Sequence, residues 1–267
     1  MSHPDRNDSL AEILKLETID LGLYRTTYHF EEKFPLYGGQ VAAQAILAAG
    51  RTVSDDRQPH SMHCYFLRGG NPAKPVVFHV ANDFDGGSFS SRRVIAVQDG
   101  EVIFNCTVSF HRHNEGPDLQ AVQPQPIGDP DALRDWDAKR LHSIQMKEPE
   151  RDNPNNFWPK DFLARVTADL GDDPMMHAAG LMYLTDAGSG LAEIRTQDVG
   201  FLSTIDHTVW LHRIPDITKW ALFNYRPRRT GGGRGLYTGS VFDGDGQLIA
   251  TVAQECLFRY QRPKADA

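Results

Sequence analysis

The chain has 267 residues, 40% hydrophobic and 24% charged, a balance that excludes wholesale disorder and fits one large domain or two ordinary ones. With 28 Lys+Arg against 35 Asp+Glu the formal net charge is −7. That acidic balance argues against a general nucleic-acid partner, which needs a basic face, but leaves room for a local basic site.

No apolar run reaches about 18 residues, so no membrane span is expected. The polar start, Met1-Ser2-His3-Pro4-Asp5-Arg6, shows no apolar h-region, and Lys264-Ala265-Asp266-Ala267 is no peroxisomal tripeptide; neither address is expected. Cys64, Cys106 and Cys256 lie far apart in apolar, strand-like stretches. They read as buried free thiols of a reducing compartment, the cytoplasm, and not as a zinc site or disulfide framework.

Ser9-Leu10-Ala11-Glu12 has capping-box spacing, and Leu10, Ile13 and Leu14 share a helical face, which predicts a short first helix. Tyr24, Thr26, Tyr28 and Phe30 alternate with their neighbours and predict a strand. Residues 38–50 follow, uncharged, alanine-rich and bounded by glycines. A surface helix would carry a polar stripe; this one is predicted to be buried nearly all round. Strands are predicted at 60–67, 76–83, 88–98 and 101–111, with Asp99-Gly100 as a hairpin turn.

From about residue 116 the chain turns proline-rich and polar. Asp129-Pro130 has the form of a helix start, and a helix is predicted from there to Gln145. The stretch 116–160 reads as a linker, and 162–168 as a strand that opens a second unit. A second weakly polar helix is predicted at 175–184, then strands at 203–213, 219–225, 235–242 and 248–259, with Asp245-Gly246 as another hairpin turn.

The halves echo one another. Asp99-Gly100-Glu101-Val102-Ile103 returns as Asp245-Gly246-Gln247-Leu248-Ile249, about 146 residues on, and His60–Arg68 resembles Asp206–Arg213 at the same offset. Each half reads strand, buried helix, then four antiparallel strands. A lone apolar helix wrapped by a curved antiparallel sheet buries both elements, so the fold class is α+β, a double hotdog. The units are 1–115, a linker 116–160, and 161–267, the last carrying the chemistry.

Asp186 is the only charged side chain between Met175 and Gly190, and it ends an apolar helix. A carboxylate there is costly unless donors hold it, which suggests use; emergence into solvent at the helix end is the alternative. Thr204 and Gln254 lie on strand candidates. Alternation puts Gln254 on one face with Val252 and Cys256, either as a polar intrusion into the core or simply bonded to nearby backbone. Asp206 and His207 compete, but as strand neighbours they point to opposite faces.

Other motifs are weak. Gly86-Gly87-Ser88-Phe89-Ser90 is no nucleophile elbow, and Gly231-Gly232-Gly233-Arg234-Gly235 precedes a strand rather than opening a helix, so it is no phosphate loop. His60 with His63, and His111 with His113, lack zinc spacing. Arg92-Arg93 and Arg226, Arg228, Arg229 and Arg234 are small basic clusters, suited either to the phosphates of a carrier such as coenzyme A or to salt bridges.

Leu36-Tyr37-Gly38-Gly39-Gln40-Val41, His60-Ser61-Met62-His63-Cys64-Tyr65-Phe66-Leu67-Arg68, Asp85-Gly86-Gly87-Ser88-Phe89-Ser90-Ser91-Arg92-Arg93-Val94 and Ile205-Asp206-His207-Thr208-Val209-Trp210 together resemble the acyl-CoA thioesterase II family, over about residues 9 to 260. The resemblance implies a double hotdog that hydrolyses acyl-CoA to free acid and coenzyme A without metal or cofactor. That family activates water with an Asp, a Ser or Thr, and a Gln; the matching positions are Asp186, Thr204 and Gln254. Two departures stand out: Thr185 occupies a position where Ser is common, and the stretch from Asp186 to Thr204 is short.

Substrate contacts are expected at Gly38 and Gly39, whose N–H groups open a buried helix, and at Arg92, Arg93 and Arg234. The first half has no counterpart of Asp186, so one working site is expected per chain. The competing readings are a hotdog hydratase or dehydratase with His63 or His207 as base, and a non-catalytic acyl-CoA or lipid-binding module. A homo-oligomer, dimer or tetramer, is also expected, because edge strands need cover.

Overall fold

The computed structural model describes residues 9–137, 140–151, 158–191 and 199–260. Its first half contains α1 (Leu10–Ile13), β1 (Leu16–Asp20), β2 (Leu23–Thr26), α2 (Gly38–Gly50), β3 (Arg57–Phe66), β4 (Val77–Asp85), β5 (Phe89–Gln98) and β6 (Glu101–Arg112). A single 3₁₀ turn (Pro130–Ala132) leads to β7 (Arg134–Asp135), β8 (Ile144–Glu148), β9 (Asp161–Val166) and α3 (Pro174–Thr185). The last four strands are β10 (Val199–Leu211), β11 (Ala221–Gly231), β12 (Arg234–Phe242) and β13 (Leu248–Tyr260).

The strands form one antiparallel sheet in the order β1-β2-β4-β5-β6-β3-β10-β13-β12-β11-β9-β8-β7. Its centre is the pairing of β3 with β10, from Asp206 opposite Tyr65 to Trp210 opposite Ser61. The first and last halves of the chain are therefore stitched by backbone hydrogen bonds. Both long helices lie in the same continuous apolar core as the inward faces of β3, β5, β6, β10, β11 and β13.

α2 forms where its composition places it, and every residue from Gly39 to Ala49 is buried. α3 starts on Asp173, whose side chain accepts from the Met175 N–H, with Pro174 in the first turn. The helices pack antiparallel and very close. A Cβ on Gly39 would lie 2.6 Å from the Tyr183 carbonyl oxygen, and one on Gly50 would lie 2.4 Å from the Met175 methyl.

The hairpins follow their turn residues. Asp99 and Gly100 both have positive φ, with Gln98 opposite Glu101, a two-residue turn as predicted. The Asp245-Gly246 turn is longer: β12 ends at Phe242, β13 begins at Leu248, and the Asp243 side chain accepts from the Asp245 and Gln247 N–H groups. The glycine run resolves as a third hairpin, with Gly232 and Gly233 at positive φ between Gly231 and its partner Arg234.

Three expectations need correction. Among the described residues, the helix predicted from Asp129-Pro130 to Gln145 does not form: the Asp129 cap is present, but one 3₁₀ turn follows. Leu133 is drawn into a cluster with Leu163, Leu222 and Phe242, Trp136 packs edge-on against Phe162, and Ser143 adopts φ 52°, so tertiary packing overrides the local signal. The stretch read as a linker also supplies β8, which pairs with β9, while Gln120 and Gln125 bond along the outside of the C-terminal half to Gly246, Leu248 and Asn224. Lastly, the strand predicted at 219–225 starts at Ala221 and runs on to Gly231, with a register shift between Pro227 and Arg229.

The helix contact generates a pair of expected outcomes. Gly39→Ala sets a methyl against a fixed carbonyl and should cost about 2–3 kcal/mol, as overpacking does. Gly50→Ala meets only the movable end of Met175 and should cost clearly less. Urea denaturation of both variants reads the difference.

Candidate active site

The sequence-predicted trio converges on one point. α3 ends at Thr185, and Asp186 follows as its C-terminal cap residue, with φ −94° and ψ 2°. Helix-end carbonyls need donors. Here tyrosines supply them: Tyr225 Oη donates to the Thr185 carbonyl at 2.6 Å, and Tyr37 Oη to the Tyr183 carbonyl at 2.8 Å. These bonds fix the turn that carries Asp186.

The carboxylate meets three donors from three other elements. The Gly39 N–H, at the amino end of α2, donates to Oδ2 at 3.0 Å. On the other oxygen, Gln254 Nε2 of β13 donates to Oδ1 at 3.2 Å and Thr204 Oγ1 of β10 at 3.4 Å. Gln254 Nε2 also donates to Thr204 Oγ1 at 2.9 Å. The two Oδ1 contacts are long, which leaves the carboxylate capacity for a further hydrogen bond. A side chain at position 38 is excluded, because its Cβ would sit 2.8 Å from Asp186 Oδ2 and 2.9 Å from the Phe66 ring.

Asp186 keeps some accessible surface yet is densely surrounded, and this burial raises its carboxyl from 3.8 to about 6. Gln254, the Gly39 N–H, Thr204 and the more distant Arg140 charge all pull it down, without cancelling the desolvation. The two helix ends oppose one another: the negative end of α3 favours the protonated carboxyl and the positive end of α2 the carboxylate.

A bulge makes the trio possible. Strict alternation would put Thr204 and His207 on opposite faces of β10. The register between β10 and β13 shifts between Thr204 and Asp206, and both Thr204 and His207 face the core. His207 is fully buried, with Nε2 2.8 Å from Thr185 Oγ1, and desolvation lowers it to about 4. His63 is on the opposite, outer face, edge-on to the Trp210 ring at 5.2 Å.

The predicted arginines stand away from the carboxylate. Arg92 is 1% exposed, and its guanidinium is fully engaged: Nε donates to Thr52 Oγ1, and the terminal nitrogens to Thr52 O, Asn82 Oδ1, Phe84 O, Ser91 O and Asp85. It ties β4 and β5 to the end of α2. Arg93 and Arg234 are on the surface, paired with Asp83 and Glu255 at 3.1 Å each. Sequence reasoning did not find Tyr37, Tyr225 or Arg140. Arg140 bonds Glu32 and the Pro35 carbonyl, holding the loop that enters α2. No local pattern marks it; the Tyr37-Gly38-Gly39 run at a buried helix start was the available signal for Tyr37.

An antiparallel sheet around buried helices, with a donor-held carboxylate between them, defines a hotdog-type protein. The chain belongs to the acyl-CoA thioesterase family: residues 31–111 match the family described as "Acyl-CoA thioesterase N-terminal domain" and residues 117–258 "Acyl-CoA thioesterase C-terminal domain". It is 32% identical to acyl-coenzyme A thioesterase 8 of Rattus norvegicus, covering 95% of this chain and 90% of that one. The crystal structure of an acyl-CoA thioesterase II from Mycobacterium marinum superposes with TM-score 0.82 at 34% identity, covering 96% and 99% of the two chains. A hot dog fold protein of unknown function from Alicyclobacillus acidocaldarius superposes with TM-score 0.78 at 19% identity, covering 95% and 98%, which speaks to the fold alone.

Two outcomes follow. Arg92→Met strands several buried acceptors and should lower stability by about 2–4 kcal/mol, with KM for acyl-CoA unchanged, read by denaturation and steady-state kinetics. Asp186 is protonated more readily in the native than in the unfolded chain. Its contribution to stability therefore falls as pH rises from about 4 to about 6 and stays low above that. The stability difference of Asp186→Asn relative to the parent should move in the variant's favour between pH 4.5 and pH 7.5, read by urea midpoints at both.

Proposed function

We propose that the protein hydrolyses acyl-CoA thioesters to a free carboxylic acid and coenzyme A, with Asp186 as the general base. The observation that carries this is a carboxylate held by Gly39, Thr204 and Gln254 and poised near pH 6, so that it is ionised at neutral pH yet still basic enough to take a proton. Water bound at Asp186 gives up a proton to it while its oxygen attacks the thioester carbonyl. The carbon–sulfur bond then breaks, and the proton passes to the departing coenzyme A sulfur. Thr204 and Gln254 orient base and water. The amino end of α2 at Gly38 and Gly39 offers its positive dipole to the developing oxyanion.

Two hotdog repeats, joined by a segment that also contributes strands, account for the palindromic strand order around β3 and β10. In this reading only one helix junction is charged. Contact with the coenzyme A phosphates falls to the exposed arginines, Arg93 and Arg234, and not to the enclosed Arg92. The free, buried thiols of Cys64, Cys106 and Cys256 suit a reducing compartment such as the cytoplasm. Tyr65, Phe89 and Trp210, exposed on the outer face of the sheet, are suited to pairing between copies as a dimer or tetramer.

A panel of acyl-CoAs assayed for thiol release tests the reading. Release with an acid limb in kcat/KM near pH 6 is expected, and Asp186→Asn should lower kcat by about 10²–10⁴-fold. Undiminished turnover by that variant would sink the assignment. Absorbance change at a double bond without thiol release would instead point to a hydratase.

A further inference from the structure

Behind Gln254 lies a second set of polar groups that the hydrolytic scheme does not use. His207 on β10 is directly opposite Gln254 on β13, and both are buried. His207 Nδ1 and Gln254 Oε1 are each enclosed without a hydrogen-bond partner. The other ring nitrogen, Nε2, is 2.8 Å from Thr185 Oγ1, which is itself 2.9 Å from the Met182 carbonyl oxygen.

Proton accounting distinguishes two arrangements. Burial keeps the ring neutral, so it has one N–H. With that hydrogen on Nε2, it goes to Thr185 Oγ1, and the Nδ1 lone pair is left toward Gln254, whose side chain acts on the ring as an acceptor does, favouring a proton there. Two buried acceptors then stay unpaired. With the hydrogen on Nδ1, it goes to Gln254 Oε1, and the Thr185 hydroxyl turns to Nε2. Both orphans vanish, at the loss of one side-chain bond to a helix carbonyl. Buried polar groups are almost always paired, which selects the second arrangement. It also fixes the amide: reversing Gln254 would set its NH₂ against the ring N–H and its oxygen against the Asp186 carboxylate.

We propose that His207, protonated on Nδ1, is a positioning residue that holds the Gln254 amide with its NH₂ toward Asp186 and Thr204. Thr185 orients the ring, and the chain of bonds returns to the Thr185–Asp186 peptide. The kinetic consequence rests on Asp186 being the base; the tautomer does not.

The primary test is long-range ¹H–¹⁵N NMR of the full-length, ¹⁵N-histidine-labelled protein at neutral pH, with His207 assigned by its loss in His207→Asn. A protonated Nδ1 and bare Nε2 are expected; an Nε2–H ring or a doubly protonated ring overturns the proposal, whether or not the protein turns over acyl-CoA. Kinetics supply the second test. His207→Asn keeps an N–H donor near the Nδ1 position and should retain kcat within about 5-fold, whereas His207→Leu should lose about 10–100-fold in kcat at unchanged KM, the range typical for outer-shell partners. The acid limb should also move up in His207→Leu, because Asp186 loses a fixed donor. Equal losses in the two variants with an unmoved acid limb would refute a positioning role. If either variant misfolds, the NMR result on the parent protein decides.

Discussion

An ionisable carboxylate enclosed where the end of one helix lies beside the start of another is the constraint around which this protein is built. Asp186 closes α3, whose negative end repels it, and faces the start of α2, whose N–H groups attract it. Either helix alone would leave the charge poorly held. Their meeting requires close approach, and that explains the chemistry of α2: glycine at 38 and 39 because any side chain would collide with the carboxylate, Phe66 or Tyr183, and alanine along much of the remainder so that the sheet can close over it. Tyr37 and Tyr225, arriving from the α2 entry and from β11, neutralise the last carbonyls of α3 and so fix where the carboxylate points.

The sheet serves the same end. Thr204 and Gln254 come from adjacent strands and reach the carboxylate from the side opposite Gly39. An ideal β10 could not offer Thr204 and His207 on one face. The register shift near residue 205 gives up ladder regularity for that convergence, in keeping with the tendency of bulges to lie beside active sites. Because β10 also pairs with β3, the strand carrying Thr204 is held by both halves of the chain, and the site is built from elements up to 215 residues apart, Gly39 to Gln254.

Much of this was legible in the sequence. The two buried helices declared themselves by lacking a polar stripe, and Asp186 by being the sole charge in an apolar stretch. Gln254 was legible through its alternation with Val252 and Cys256, which are indeed buried beside it. What misled was local. Asp129-Pro130 forms its cap, yet the residues beyond are claimed by Leu133 and Trp136 packing elsewhere. A paired arginine motif does not say which member turns inward; alternation sends Arg92 into the protein and Arg93 out of it. The bulge in β10 has no sequence signature of its own, so the neighbourhood of His207 could be known only from the fold.

The antiparallel helix pair has two junctions, and they differ in chemistry. Where α3 ends and α2 begins, the space is polar: a carboxylate, a backbone donor, a threonine and a glutamine. At the other junction, where α2 ends and α3 begins, Gly50 lies against the Met175 side chain. Arg51, the next residue, turns away to donate to the Leu16 carbonyl and lie over the Tyr24 ring. The strand positions that echo Thr204 and Gln254 at the repeat offset are Gln58 and Val108, and Val108 is fully buried and apolar. A carboxylate placed there would meet the apolar Val108 where Asp186 meets the Gln254 amide, and would bear more of its desolvation alone. The packing that makes the second junction a stable apolar contact is what confines the charge, and with it the proposed chemistry, to the first.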